Sequence, residues 1–449
     1  MTSAWRPAPP HMSDRIATAV DWSPRIRIMP ALARVTLVAL VAYTGLAMAL
    51  ETALDESFHA KVGPINVYLF DLLLFAAVML LTHEVFVEHG QGVPSSNRVV
   101  VFLVLGCCAY QIAIVLPVSV VFHNLAPIDV IRELEVRLGL VLLPFMYLVV
   151  LKYVSPRRLV LLMNTAAVFL SLYIAYRYAT IGPSYDGGNR LRELGGSAIL
   201  LFGFLILSSL FLLRPSIITY AAAMLGTVGI ALTNHRSGYL ALFAVGIPLF
   251  FHFRRASSRA VVVLIVVVSS AVLLVSASPA VRHSAYYSLR TMANPSSDQN
   301  ARDRVDRSKL GWDYFAANPL GDHAWNRRFY LVDLSDPFEP HNFVIQILDV
   351  QGIVGFAFFA GIIATVVRIA WRNRSADRMS AVMLAYFVFY LVFCLFNTNI
   401  INQWNILLLA VPVGLILKRN AILLGRSRKD AVYGDPLSAG ASGSGARAV

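Results

Sequence analysis

A histidine and an amide side chain stand together late in the chain, directly before an apolar stretch. Pro340, His341 and Asn342 are followed by nine mostly apolar residues, then by Gly352 and, after two more residues, Gly355. Histidine exchanges a proton near neutral pH, so an imidazole at a membrane–water boundary could act as a general base. The plainer alternative is that the polar residues only begin a helix, while the two glycines permit close backbone packing.

Two arginines are candidates for binding a phosphate group. Arg236 lies in a short polar link, 234–238, between two apolar runs, and Arg304 lies in a long polar loop. The planar guanidinium presents a fork of N–H donors that matches phosphate oxygens. Each arginine also has a structural interpretation: Arg236 as an interfacial side chain that snorkels to the headgroups, and Arg304 as one charge on a solvated helix face.

The sequence lacks the common motifs that bind metal–phosphate complexes or activate a nucleophile. It contains no Asp-x-Asp pair, no Walker loop, no Gly-x-Ser-x-Gly elbow and no His/Cys cluster with metal-ligand spacing. If a diphosphate leaves during the reaction, arginines rather than a metal must neutralise its charge. We therefore expect no metal and no cofactor.

The composition indicates an integral membrane protein. Of the 449 residues 57% are hydrophobic and only 14% are charged, and the mean hydropathy is +0.66. A soluble chain keeps about a quarter of its residues charged. Apolar runs of roughly 17 to 25 residues predict an all-α fold with about twelve transmembrane helices. The predicted spans are 31–50, 64–82, 99–121, 138–153, 158–177, 196–213, 216–233, 238–253, 260–277, 343–367, 379–397 and 404–418.

The distribution of basic residues predicts the orientation. With the N-terminus inside, the inner segments carry 23 of the 38 Lys and Arg residues, as the positive-inside rule requires. The net charge of +13 then reflects topology and contact with lipid headgroups. Nucleic-acid binding is a poor alternative, because these charges are dispersed among separate loops.

The predicted organisation is one membrane domain between two tails. Residues 1–30 would be a cytoplasmic N-terminal tail, 31–429 the integral membrane domain, and the Gly/Ser/Ala-rich 430–449 a disordered cytoplasmic tail. The domain includes a periplasmic loop, 278–341, far longer than any other connection. Long loops with structure of their own are usually functional.

The long loop should contain a helix that ends near Ala317. Ser297 or Asp298 could cap its start, and Asn318-Pro319-Leu320-Gly321 should end it, since proline cannot continue a helix and glycine permits the turn. The spacing places Val305, Trp312 and Phe315 on an apolar stripe. A neighbouring face would carry Arg304, Ser308 and Gly311.

The histidine motif resembles that of the O-antigen ligase/polymerase superfamily of bacterial envelope glycan assembly. The match is His341-Asn342, nine residues, Gly352, two residues and Gly355. Members of this superfamily have about twelve spans and one large periplasmic loop between late spans, and the resemblance covers most of the chain.

The two arginines fit the same resemblance. Arg236, followed by Ser and Gly, resembles the family's outer-side arginine after a mid-chain span. Arg304, fifteen residues before Pro319, resembles the arginine that precedes the loop's Pro-Leu-x-Gly turn. One departure is Asp322 after Gly321, where members often have another glycine.

The resemblance implies a glycosyltransferase in the bacterial inner membrane with its active site facing the periplasm. Its donor would be a glycan on undecaprenyl diphosphate, and Arg236 and Arg304 would hold the diphosphate. His341 would be the catalytic base, supported by Asn342, Gly352 and Gly355. The transfer would be direct, with inversion, and independent of metal.

Two questions stay open at the level of sequence. A ligase would move a finished polymer onto lipid A-core, whereas a polymerase would move the growing glycan onto the next lipid-linked unit, and both need the same donor site. A multi-span transporter or flippase for lipid-linked oligosaccharide is the alternative from another class. It predicts paired charges near mid-membrane, whereas most candidate polar groups here fall at the outer boundary.

Overall fold

The computed structural model of this protein describes the following parts of the chain. These are residues 97–122, 154–181, 196–233, 236–252, 299–321, 342–396 and 403–433, four short strand segments, and isolated residues elsewhere. Apart from single positions, the predicted spans 31–50 and 260–277 lie outside these parts, as do His341 and the expected N-terminal tail. The expected C-terminal tail, 430–449, lies outside them after Tyr433, whereas its first four residues belong to the last helix. The arrangement below concerns the described residues alone.

Nine α-helices, two π-helical segments that continue the first of them (Gln111–Val115 and Val118–Phe122) and two short hairpins make up the described architecture. The strands are β1 (His59–Val62), β2 (Ile65–Tyr68), β3 (Tyr185–Asp186) and β4 (Asn189–Arg190). The helices are α1 (Arg98–Tyr110), α2 (Pro156–Ile181), α3 (Gly196–Phe211), α4 (Ile217–Thr233), α5 (Arg236–His252), α6 (Gln299–Ala317), α7 (Phe343–Asn373), α8 (Arg378–Leu395) and α9 (Gln403–Tyr433).

Both hairpins follow from their turn sequences. β1 pairs antiparallel with β2, with Val62 opposite Ile65, across Gly63-Pro64. β3 pairs with β4 in the same way across two glycines, a sequence that suits a two-residue turn. The predicted span 64–82 is therefore wrong at its start, because Ile65–Tyr68 is a strand.

Helix α3 lies at the centre of the bundle. It contacts α2, α4, α5, α8 and α9, and its side chains from Ala198 to Phe202 are at most 1% exposed. A helix that is apolar on every face is stable only when it is buried all round. Gly203 permits the ring of Phe389 in α8 to approach closely, since an added Cβ would lie 2.3 Å from that ring.

The expected helical character is confirmed. Among the residues that the structure describes, four helices are long and apolar enough to cross a membrane: Arg98–Val121, Pro156–Thr180, Gln351–Asn373 and Arg378–Leu395. Helices Ser197–Phe211, Ile217–Thr233 and Ser237–Gly246 are apolar but shorter. The closely spaced predicted spans 216–233 and 238–253 correspond to two separate helices, α4 and α5.

A polar cluster ties four helices together at the end of the bundle where α1 begins. The Asn420 amide of α9 donates to Asn97 Oδ1 (2.9 Å), and the Asn373 amide donates to Asn420 Oδ1 (3.0 Å). Asp377 caps α8 through Ser380 and accepts a hydrogen bond from Arg419 Nε at 2.9 Å. We call this end the Asn97 end.

The carboxyl of Asp377 is held ionised by its partners. Burial alone would raise its pKa, but hydrogen bonds from Arg419 and Ser380 outweigh that effect and lower the pKa below its ordinary value. The ionised carboxylate therefore contributes to the stability of the contact between α8 and α9.

Candidate functional site

Asn342 caps the N-terminus of α7. Its side-chain Oδ1 accepts hydrogen bonds from the backbone N–H groups of Val344 (2.9 Å) and Ile345 (3.4 Å). An asparagine cap of this kind satisfies donors that a helix start leaves without partners. The helix-capping interpretation is thus correct for Asn342. His341, one residue earlier, lies outside the described residues.

Helix α7 is interrupted at Gly352. This residue has φ +65° and ψ −176°, a conformation that is essentially restricted to glycine. The first segment of α7 therefore ends ten residues after Asn342, and the long apolar segment starts after the break. The interruption frees backbone groups that must find partners elsewhere.

The turn that ends α6 supplies one of those partners. The carbonyl oxygen of Pro319 accepts a hydrogen bond from Ile353 N–H at 2.9 Å. The turn is closed by Gly321 N–H, which donates to the Asn318 carbonyl at 2.9 Å. The predicted end of the loop helix is confirmed: α6 ends at Ala317 and the chain turns over Asn318–Gly321.

Two glycines permit this close approach of backbone to backbone. A Cβ on Gly352 would lie 2.1 Å from the Leu320 carbonyl carbon, and a Cβ on Gly321 would lie 2.3 Å from Gly352 N. Gly321 also has a positive φ of +78°. The turn and the helix break therefore fit each other only while both positions are glycine.

Tyr110, at the end of α1, bonds to both sides of this junction. Its hydroxyl lies 3.1 Å from the Leu320 carbonyl oxygen and 3.2 Å from that of Gln351, so the two carbonyls share one O–H donor. Gly355 leaves room for the side chain of Gln351, since an added Cβ would lie 2.4 Å from Gln351 Cβ. Gly352 thus permits the close backbone packing expected of the glycine pair, whereas the close neighbour of Gly355 is a side chain of its own helix.

The predicted apolar stripe of α6 is not its buried face. Val305 and Trp312 are each 54% exposed and only Phe315 of the stripe is half-buried. On the neighbouring face Gly311 is buried and Arg304 and Ser308 are half-buried, so that face is the more buried of the two. Val305 and Trp312 are left at the surface.

Arg304 connects α6 to the end of α8. Its Nη1 donates a hydrogen bond to the carbonyl oxygen of Phe396, 3.0 Å away, while its own carbonyl accepts a bond from Ser308 Oγ at 2.7 Å. Phe396 directly follows α8, so the carbonyl belongs to the helix's C-terminal cap. The guanidinium thus lies at the C-terminal end of α8. We call this end of the bundle the α6 end.

The backbone of Arg236 begins α5 at this same end. Gly238, two residues on, lies near Ile199 in the first turn of α3, since an added Cβ would be 2.9 Å from that side chain. Gly203, one turn further along α3, contacts Phe389, two turns before the end of α8. The packing therefore brings the start of α5 and the end of α8 to one end of the bundle. The Arg236 side chain is outside the described set.

A groove runs between α6 and the first turn of α7. Its volume is about 390 Å³, and Ile345, one turn after the Asn342 cap, forms its α7 wall. Its α6 wall is formed by Val305, Ser308, Lys309, Trp312 and Asp313. An exposed indole beside a carboxylate, an ammonium group and a hydroxyl could bind a ligand that is partly apolar and partly polar.

Sequence reasoning missed two buried polar residues in α7. Gln346 and Asp349 are each 3% exposed and lie three residues apart, on one side of the segment between Asn342 and Gly352. Within the described residues the Gln346 side-chain oxygen has no hydrogen-bond partner. The available signal was a carboxylate inside an apolar, membrane-associated run, which is usually functional.

Comparison with known families agrees with this arrangement. Residues 221–360 match the family model described as O-antigen ligase, a range that begins in α4 and ends within α7. It contains Arg236, Arg304, His341, Gly352 and Gly355. No curated protein matches the chain. This helical membrane protein therefore carries, over residues 221–360, a domain of the O-antigen ligase family.

Proposed function

We propose that this protein is a glycosyltransferase that moves a glycan from undecaprenyl diphosphate to a sugar hydroxyl on the periplasmic side of the inner membrane. The family as a whole indicates glycosyl transfer from lipid-linked glycans. Arg236 and Arg304 would bind the donor diphosphate, and His341 would be the base. The acceptor would be lipid A-core for a ligase, or the next lipid-linked repeat unit for a polymerase.

The observation that carries the proposal is the way α6 is fixed against α7 and α8. At one end of α6, Arg304 bonds to the Phe396 carbonyl, and at the other end Pro319 bonds to Ile353 beside Gly352. The helix that bears the arginine is therefore held against the helix that begins just after His341. A donor phosphate and an acceptor hydroxyl need such a fixed frame for direct displacement.

The proposed reaction is a single displacement. His341 takes the proton of the acceptor hydroxyl as its oxygen forms a bond to the anomeric carbon. The bond from that carbon to the diphosphate oxygen breaks, and its electron pair leaves with the diphosphate. Arg236 and Arg304 would stabilise the added negative charge, which is worth most in a site that excludes water. Inversion at the anomeric carbon follows.

The groove beside Ile345 is the proposed place for part of the saccharide. Trp312 presents an indole that is 54% exposed, and the apolar face of a sugar ring can stack on it. Asp313 and Ser308 in the same wall offer acceptors for hydroxyl groups. Since the groove reaches the first turn of α7, a bound sugar would extend toward the cap that follows His341.

Reconstitution of the purified protein with lipid-linked glycan and candidate acceptors, in the presence of EDTA, tests the proposal. We expect turnover in EDTA, a loss of at least 10²-fold for His341→Ala, and a similar loss for Arg304→Gln. A His341→Ala protein that inserts normally and still transfers glycan at the wild-type rate would instead favour a transporter.

Glycan analysis of a deletion strain separates the two forms of the proposed enzyme. Loss of a ligase leaves finished, lipid-linked polymer that is not attached to its acceptor. Loss of a polymerase leaves single lipid-linked units. Restoration of the normal pattern by the wild-type protein, but not by Arg304→Gln, would connect the phenotype to the proposed site.

A further inference from the structure

A second cavity lies at the Asn97 end of the bundle, opposite α6. Its volume is about 260 Å³. Three chain segments form it: the start of α2, the link between α3 and α4, and the start of α8. Its lining residues are Arg157, Val160, Leu212, Leu213, Arg214 and Met379.

The cavity carries two positive charges and no acidic side chain. Arg157 and Arg214 are exposed and come from different segments, and within the described residues neither guanidinium has an ion pair. Asp377, which lies two residues from Met379, is engaged by Arg419. Two guanidinium groups that share one cavity repel each other, so an anion between them would be favourable.

The remaining walls are apolar and lie at the ends of helices that are long enough to cross a membrane. Arg157 is the second residue of the membrane-crossing helix Pro156–Thr180, and Met379 is the second residue of Arg378–Leu395. Val160, Leu212 and Leu213 complete an apolar surface behind the arginines. This combination fits a ligand that has a phosphate group and an adjoining hydrocarbon chain better than it fits a free, fully hydrated anion.

We propose that this cavity binds the phosphate of an anionic phospholipid headgroup, with Arg157 and Arg214 as a two-sided clamp. The glycerol and first methylene groups would lie against Val160, Leu212 and Leu213. The site is separate from Arg304 and the start of α7, which lie at the opposite end of the bundle. Lipid binding here would hold the starts of α2 and α8 and the α3–α4 link together.

Nanodiscs of defined lipid composition test this proposal. The full-length protein is placed in phosphatidylcholine discs with increasing fractions of phosphatidylglycerol, and bound lipid and thermal unfolding are measured. We expect phosphatidylglycerol to stabilise the wild type. Each basic contact near the surface is worth about 1 kcal/mol. Arg157→Gln and Arg214→Gln should therefore each lower the affinity for phosphatidylglycerol about fivefold, and the double variant should lower it about 25-fold.

Arg158 supplies the matched control. It is adjacent to Arg157 and is also exposed, but it does not line the cavity. Arg158→Gln should therefore retain the wild-type response to phosphatidylglycerol. Unfolding in pure phosphatidylcholine discs checks that every variant is folded, since exposed Arg-to-Gln changes should alter the midpoint little.

Three results would overturn the proposal. One is an equal response of the wild type and the double variant to phosphatidylglycerol. Another is an equal loss in the Arg158→Gln control, which would show a diffuse surface charge rather than a site. The third is the same stabilisation by inorganic phosphate at matched concentration, which would remove the lipid as the ligand.

Discussion

Replacement of Gly352 by alanine places a methyl group inside the backbone of the turn that ends α6. The Cβ would lie 2.1 Å from the carbonyl carbon of Leu320 and 2.2 Å from its oxygen. Neither atom belongs to a flexible side chain, so rotation of a side chain cannot relieve the contact. In addition, φ +65° with ψ −176° is a conformation that alanine adopts only with strain.

The geometry sets the size of the expected effect. Ordinary contact begins near 3.4 Å, so the turn and the helix must separate by at least 3.4 − 2.1, or about 1.3 Å. A displacement of about 1 Å of groups that position a substrate can cost about 10²-fold in rate. The backbone strain alone should cost about 1–3 kcal/mol of stability. We therefore expect Gly352→Ala to fold with reduced stability and to transfer glycan about 10²-fold more slowly.

A glycine in the same helix provides the control. A Cβ added to Gly361 would lie 3.4 Å from the Leu103 methyl groups, which is ordinary contact. Gly361→Ala should therefore fold and keep activity, with a gain of up to about 1 kcal/mol from the higher helix propensity of alanine. Both variants should be compared by initial transfer rates with lipid-linked glycan, at equal amounts of folded protein in the membrane.

Wild-type activity of Gly352→Ala would refute the reasoning that the turn positions α6 for catalysis. Equal losses for Gly352→Ala and Gly361→Ala would also refute it, because the effect would then follow from any added methyl group in α7. Limited proteolysis of the segment after α6 gives an independent measure, since a displaced turn should be cleaved faster.

Three further predictions concern side chains. Tyr110→Phe removes the hydroxyl shared by two carbonyls and should cost about 1 kcal/mol of stability in thermal unfolding, with a loss of transfer rate below about tenfold. Trp312→Ala should raise the KM for the saccharide acceptor about tenfold with little change in kcat. Trp371 is similarly exposed (53%) but lies on the apolar segment of α7, so Trp371→Ala should change neither KM nor kcat. Asp377→Asn should lower the free energy of unfolding by about 1–3 kcal/mol. This loss of stability relative to wild type should have its full size above about pH 4, where a free carboxyl is ionised. It should shrink as the pH falls through the lowered pKa of Asp377, because the wild-type carboxyl is then protonated. A difference that persists unchanged at low pH would contradict the assigned role of its bond to Arg419.

Local chemistry made part of the structure predictable. The end of α6 at Ala317 follows from the residues beside it, since proline at 319 and glycine at 321 stop a helix whatever its surroundings. Asn342 as a helix cap depends in the same way on atoms two or three residues away. The apolar runs identify membrane helices because a helix that crosses the hydrocarbon core needs about 20 consecutive, mostly apolar residues.

Contacts between distant residues were beyond sequence reasoning. The break at Gly352 exists because a turn more than thirty residues earlier fills it, so no local pattern distinguishes this glycine from one inside a continuous helix. The partner of Arg304 is a carbonyl 92 residues away. Hydropathy also does not identify the buried face of α6, since Val305 and Trp312 of the predicted apolar stripe are exposed while Gly311 on the neighbouring face is buried.

The way α6 is attached has a consequence for how substrates would reach the proposed site. One attachment is the bond from the Arg304 side chain to the Phe396 carbonyl and the other is the backbone bond between Pro319 and Ile353, so neither uses the side chains of Val305 and Trp312. That outer side carries Val305 and Trp312 and faces Ile345 across the groove. A saccharide could therefore approach along the groove while Arg304 stays fixed at the end of α8. In the proposed mechanism one helix would therefore serve two purposes: its inner face would orient Arg304, and its outer face would contact the glycan.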